Sequence, residues 1–129
     1  PFRGSGLAVG DLNADGKSDV VITTTNLITV YLGDGQGGFV DVPKNYSNGL
    51  SAQTVIRDFN GDGKQDLACA NNAFATGSVV VLFGAGAGEF GEPVEYGGGK
   101  SPYALQSTDF NQDGKLDLAV LNLDSGNEG

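Results

Sequence analysis

Three nine-residue stretches place oxygen-bearing side chains in the same slots. They read DLNADGKSD from Asp11 to Asp19, DFNGDGKQD from Asp58 to Asp66 and DFNQDGKLD from Asp109 to Asp117. Position 1 is Asp, position 3 Asn, position 5 Asp, position 6 Gly, position 7 Lys and position 9 Asp. Alternate side chains converge when the backbone curls about a point, and Gly at position 6 permits the sharp turn. The carbonyl of position 7 then faces inward as a further oxygen. Hard oxygen donors in this number suit Ca²⁺, which takes six to eight at about 2.3–2.6 Å. Mg²⁺ fits less well, because it prefers a tight octahedron and retained water. Zinc favours nitrogen and sulfur, and the stretches offer neither. An EF-hand would need Glu at position 12, where this chain has Ile22, Cys69 or Val120 inside apolar runs. The competing reading is a set of Asx turns without metal. It leaves three carboxylates crowded without a counter-charge, three times over. Lys17, Lys64 and Lys115 are expected to lend carbonyls only, their side chains solvated rather than ion-paired.

These stretches need elements to hold them, and the sequence repeats those too. VYLGDGQGGF (Val30 to Phe39) returns as VLFGAGAGEF (Val81 to Phe90). Each ends 19 residues before the next acidic stretch, so the length change between repeats falls at AFAT, Ala73 to Thr76. Short aliphatic and β-branched runs surround the acidic stretches and are too short for helices. First strands are expected at Leu7–Val9, Thr54–Ile56 and Ala104–Leu105. Second strands are expected from Val20, Leu67 and Leu118, and third strands at Val30–Leu32 and Val79–Phe83. GDGQGG and GAGAG read as hairpin turns, since glycine takes positive φ cheaply. Fourth strands are expected at FVDVP from Phe39 and EPVEY from Glu92. The period is near fifty, and one such unit cannot bury both faces alone. Radial stacking of the units, a β-propeller, resolves this. The fold class read from the sequence is therefore all-β, a partial propeller of about two and a half four-stranded antiparallel blades. Repeat 1 spans 1–47, repeat 2 48–98 and an incomplete repeat 3 99–129.

Composition narrows the function. The 129 residues carry 16 Asp and Glu against seven scattered Lys and Arg, a net charge of −9, which disfavours nucleic acid. Nine of the twelve Asp lie in the three stretches, which points to cations rather than general solubility. No apolar run is long enough for a membrane-spanning helix. There is no His to act as a base and no Ser or Cys in a nucleophile motif, so the chain reads as non-catalytic. Cys69 reads as a buried apolar filler. Phe39, Phe59, Phe90 and Phe110 recur at equivalent positions, as core residues do. Tyr46, Tyr96 and Tyr103 read as core or rim, and Glu89, Glu92 and Glu95 as a solvated face. With no methionine, even at position 1, the chain is expected to be a processed form or a piece of a longer propeller.

GDLNADGKSDVVI, RDFNGDGKQDLAC and TDFNQDGKLDLAV, the first two followed by VxLGxGxGxF-like text, resemble FG-GAP/VCBS repeats, the blades of integrin-α-like β-propellers. The resemblance covers essentially the whole chain. It implies one calcium ion per loop, three in all, held between the first two strands of each blade. The implied ligands are Asp11, Asn13, Asp15, the Lys17 carbonyl and Asp19 in the first loop. In the second they are Asp58, Asn60, Asp62, the Lys64 carbonyl and Asp66. In the third they are Asp109, Asn111, Asp113, the Lys115 carbonyl and Asp117. It further implies a secreted or cell-surface scaffold for adhesion, with a protein or carbohydrate ligand. The alternative is a non-catalytic accessory part of a secreted polysaccharide-active or other hydrolytic or lyase enzyme. Closed propellers have 4–8 blades, so further blades or other chains are expected to complete the ring.

Overall fold

The computed structural model describes residues 5–25, 27–40, 42–47, 51–72 and 77–123. The expected longer turn at 73–76 lies outside them. Every described element is a strand. The first sheet is an antiparallel meander of β1 (Gly6–Gly10), β2 (Asp19–Thr23), β3 (Leu27–Tyr31) and β4 (Lys44–Ser47). The second sheet repeats it with β5 (Ser51–Arg57), β6 (Asp66–Asn71), β7 (Gly77–Leu82) and, as its fourth member, β10 (Val94–Gly99). Between β7 and β10 sits a small hairpin, β8 (Gly84–Gly86) and β9 (Glu89–Phe90). The third repeat contributes β11 (Pro102–Thr108) paired with β12 (Asp117–Asn122). The rungs coincide: Ala8, Val21 and Val30 align in the first sheet, and Val55, Ala68 and Val81 in the second.

The fourth strands differ from the sequence expectation. Within FVDVP, Asp41 lies outside the described residues; Phe39 makes only an isolated bridge to Gly33, Val42 is 85% exposed, and the described pairing begins at Lys44. In the second repeat pairing begins at Val94 rather than Glu92. Pro43 and Pro93 stand immediately before the two strands. Proline has no N–H to give a ladder, so the strand starts after it. The glycine-rich turns instead close ladders of their own, Gly33 with Phe39 and Gly84–Gly86 with Glu89–Phe90.

The sheets stack face to face in chain order. β5 packs beside β1 on one side and β11 on the other, so the first strands of the repeats are neighbours. One apolar layer joins the first two sheets through Leu12, Val21, Ile28, Val30, Ile56, Leu67, Cys69, Val80, Leu82 and Phe90. A second joins the second sheet to β11 and β12 through Ala68, Ala70, Val79, Val81 and Leu105. The second sheet therefore buries both faces. Cys69 is fully buried, as expected, and its sulfur accepts a hydrogen bond from the Thr54 hydroxyl at 3.4 Å.

The recurring phenylalanines divide. Phe90 is buried and Phe59 is packed against the second layer, but Phe39 and Phe110 are 54% and 59% exposed. Phe39 is the counterpart of Phe90 on the first sheet's outer face, and Phe110 that of Phe59 on the far face of β11 and β12. Neither face meets another described sheet. Phe39 rests on Tyr31 instead, ring centroids 5.1 Å apart. Among the described residues no helix is long and apolar enough to cross a membrane.

Candidate metal centre

Each acidic stretch forms the connection between the first and second strand of its repeat. Within the first, Asp11 accepts the N–H groups of Asp15 (3.1 Å) and Gly16 (2.8 Å). Asn13 Oδ1 accepts the Asp15 N–H (3.1 Å), and Asp15 Oδ1 accepts the Lys17 N–H (2.9 Å). The Asn13 amide donates to Asp15 Oδ2 at 3.2 Å. The second loop repeats this mesh through Asp58, Asn60, Asp62 and Lys64, and the third through Asp109, Asn111, Asp113 and Lys115. The backbone follows suit. Position 6 has φ of 80°, 84° and 86° at Gly16, Gly63 and Gly114. Position 4 is also left-handed in every copy, at Ala14 (60°), Gly61 (76°) and Gln112 (62°).

The Asp at position 9 stands apart from this mesh. Asp19 and Asp66 are completely buried, and each ties two backbone segments together. Asp19 Oδ2 accepts the Leu12 N–H at 2.7 Å, and its Oδ1 accepts the Gly33 N–H at 2.8 Å. Asp66 accepts from Phe59 and Gly84, both at 2.8 Å. Each latches the acidic loop to the chain just beyond the third strand. Asp117 accepts from Phe110 at 3.0 Å.

The structure thus brings positions 1, 3 and 5 of each loop together around the N–H groups of positions 5 to 7, and places position 9 beside them, facing the sheet. Among the described residues no three acidic side chains are gathered tightly enough to grip an ion as they stand. The donor chemistry nevertheless fits a hard cation. Each carboxylate offers about four lone-pair sites, so oxygens that hold the turn by N–H groups retain capacity on their other side. The mesh orients them in advance.

Two residues were legible in the sequence only as turn glycines. Gly33 and Gly84 do not have positive φ. A Cβ on Gly33 would lie 2.1 Å from the Ser18 carbonyl oxygen, and one on Gly84 2.3 Å from that of Gln65. They are glycine because the chain must pass that close for its N–H to reach the buried Asp. Their signal was the constant Gly after Val-x-(Leu/Phe), but a turn explained it as well. The lysines also differ from expectation. Lys17 Nζ lies 3.4 Å from Asp15 Oδ2 and Lys64 Nζ 3.7 Å from Asp62 Oδ2. The turn that points the position 7 N–H at the position 5 carboxylate also brings the lysine stem over that side.

These contacts set the local electrostatics. The Lys17 N–H, helped by the Asn13 amide and the lysine charge, holds the Asp15 carboxyl below its ordinary value. The Lys64 N–H does the same for Asp62. In the neighbouring glycine turn, N–H groups of Gln36 and Gly38 lower Asp34. Glu89, expected to be solvated, is exposed and ion-paired with Lys44 at 2.6 Å. Successive loops share one rim. Asp11, Asn13 and Ala14 line a cleft with Gly63 and Lys64, and Asp58 and Asn60 line another with Gly114 and Lys115.

A family model for the FG-GAP-like repeat matches residues 11–56 and 58–120. The chain belongs to the FG-GAP-like repeat family. The two matched FG-GAP segments open on Asp11 and Asp58, position 1 of the first two loops. FG-GAP repeats are generally non-catalytic, propeller-like scaffolds. No curated protein and no solved structure matches the chain.

Proposed function

We propose that the chain is a segment of a calcium-stabilised β-propeller that serves as a secreted or cell-surface scaffold for binding a protein or a glycan. The observation that carries this reading is the triple recurrence of one loop geometry, on one rim, at the same strand junction. Packing of first strand beside first strand supports radial stacking of the sheets. Calcium would be held by Asp11, Asn13, Asp15, the Lys17 carbonyl and Asp19, and by the equivalent residues of the other two loops. Bound there, it would add positive charge among carboxylates of which Lys17 and Lys64 offset only Asp15 and Asp62. Asp19 and Asp66 already tie each loop to its sheet, so ion binding and sheet stability are linked. The chain itself is not the enzyme of any reaction, and partner contact falls to the exposed loops. Further blades complete the ring.

Scanning calorimetry tests the metal directly. One site with free calcium at 100 times Kd stabilises the folded state by about 2.7 kcal/mol. The transition is expected to rise by several degrees in millimolar calcium over excess EDTA, and much less in equal magnesium. An unchanged transition overturns the calcium assignment. Binding to a protein and glycan array that disappears with chelator is the expected sign of the scaffold role.

A further inference from the structure

The three acidic loops share one hydrogen-bond mesh and differ in one neighbour that matters for covalent chemistry. Asparagine loses ammonia most readily when glycine follows it. The unbranched, mobile glycine lets its own backbone nitrogen reach the preceding side chain. Position 3 is Asn in every loop, but position 4 is Ala14, Gly61 and Gln112. Of the three loops, only the second therefore places Asn before Gly. The chain's other such pair, Asn48–Gly49, lies outside the described residues.

Hydrogen bonds hold both reacting groups of the second loop. Asn60 Oδ1 accepts the Asp62 N–H at 3.0 Å, and the Asn60 amide donates to Asp62 Oδ2 at 3.3 Å. The Gly61 N–H donates to Asp58 Oδ1 at 2.7 Å. The nitrogen that would attack is turned to Asp58, and the amide it would attack is turned to Asp62. Packing adds no restraint: Asn60 and Gly61 are exposed, and a Cβ on Gly61 would meet nothing within 4 Å. Water reaches both residues.

We infer that Asn60 is a self-modification site whose rate is set by opening of the second loop. On opening, Gly61 releases Asp58 and its nitrogen attacks Asn60 Cγ. A Cγ–N bond forms, the Cγ–Nδ2 bond breaks, and ammonia leaves with the Gly61 proton. Solvent water then opens the five-membered imide. Attack at Cγ leaves aspartate at position 60 and the original backbone. Attack at the α-carbonyl leaves isoaspartate, whose backbone runs through the side chain and is one carbon longer. Either product removes the amide donor from Asp62 Oδ2 and adds a carboxylate beside Asp58 and Asp62. Isoaspartate also disturbs the spacing that brings Asp66 to the Phe59 and Gly84 N–H groups. The second sheet, buried on both faces, thus depends on the one loop of the three that can undo itself. The site goes beyond the calcium scaffold and does not depend on it.

The test is peptide mapping by mass spectrometry of the 129-residue chain held in EDTA at mildly alkaline pH, native and in guanidinium chloride. Trypsin cuts after Lys17, Arg57, Lys64 and Lys115, so Asn13, Asn60 and Asn111 fall in peptides separate from one another and from Asn48. In the native chain conversion is expected at Asn60 and not at Asn13 or Asn111. Denaturant is expected to speed Asn60 about tenfold or more, the factor for a loop closed by bonds to charged acceptors. Asp62→Ala frees the Asn60 side chain and is expected to raise the native rate toward the denatured one. Asp15→Ala damages the first loop in the same way and is expected to leave Asn60 and Asn13 unchanged, so general loosening cannot imitate the result. Gly61→Ala is expected to bring Asn60 down to the level of Asn13 even in denaturant. Equal native rates at Asn60 and Asn13, no gain in denaturant, no effect of Gly61→Ala, or the same gain at Asn60 from Asp15→Ala as from Asp62→Ala each overturns the inference.

Discussion

β6 and β2 hold the same place in successive sheets, yet every residue of β6 is buried while β2 alternates. Ile22 is 36% exposed and its counterpart Cys69 is fully buried; Val9 is 59% exposed and its counterpart Ile56 8%. The strands themselves are similar in length, pairing and apolar content. What differs is the neighbour: the second sheet has one on each face, and the first sheet has one on a single face. Burial in this architecture is therefore set by a strand's place in the stack rather than by its own pattern. An aliphatic run on both faces of a strand records the neighbours for which the repeat is built.

The largest expected effect breaks or keeps that contrast directly. Leu67 is fully buried between the sheets, and its counterpart Val20 is half-buried on the first sheet's outer face. Leu67→Ala is expected to cost about 3 kcal/mol in urea unfolding, from lost transfer energy and the cavity left behind. Val20→Ala is expected to cost about 1 kcal/mol or less, since little area is exposed anew. Comparable losses at both positions would show that the outer face is covered in solution.

The position 9 aspartates sharpen the contrast at the level of single bonds. Asp66 is buried and doubly bonded, whereas Asp117 is half-buried and singly bonded. Asp66→Asn sets an amide donor against a backbone N–H in a dry site. It is expected to cost about 3 kcal/mol, against about 1 kcal/mol for Asp117→Asn. Both are measured in EDTA, so that only the protein's own bonds are compared. Equal costs would mean that the Gly84 bond adds nothing to the latch.

Much of this was legible in the residues. The strand positions, the meander within each repeat and the three loops follow from alternating aliphatics and a fixed acidic spacing. What stayed hidden depends on contacts made at a distance. The glycines of the latch look like turn glycines until the Ser18 and Gln65 carbonyls are seen against them. Phe39 and Phe90 are interchangeable in sequence and differ only in what lies opposite. The fourth strands begin later than FVDVP and EPVEY suggest, because Pro43 and Pro93, which have no N–H to give a ladder, stand just before the first paired residues Lys44 and Val94. Position 9 reads as one more oxygen in a row, yet its side chain serves the sheet as well as the loop.

The smallest effect lies at position 4, where the three loops share a left-handed backbone but not a residue. Ala14 and Gln112 hold φ near 60°, which strains an L side chain, while Gly61 holds 76° without strain. A Cβ built on Gly61 meets nothing within 4 Å, so only the backbone is at issue there. Gly61→Ala is therefore expected to cost about 1 kcal/mol, and Ala14→Gly to gain somewhat less, because glycine loses more freedom on folding. The urea midpoint reads both. Opposite signs would show that the loops hold one conformation against differing local preferences, as a shared ligand-ready turn requires. Two neutral results would mean that position 4 is left-handed in none of them in solution, and the common geometry on which the metal reading stands would be lost.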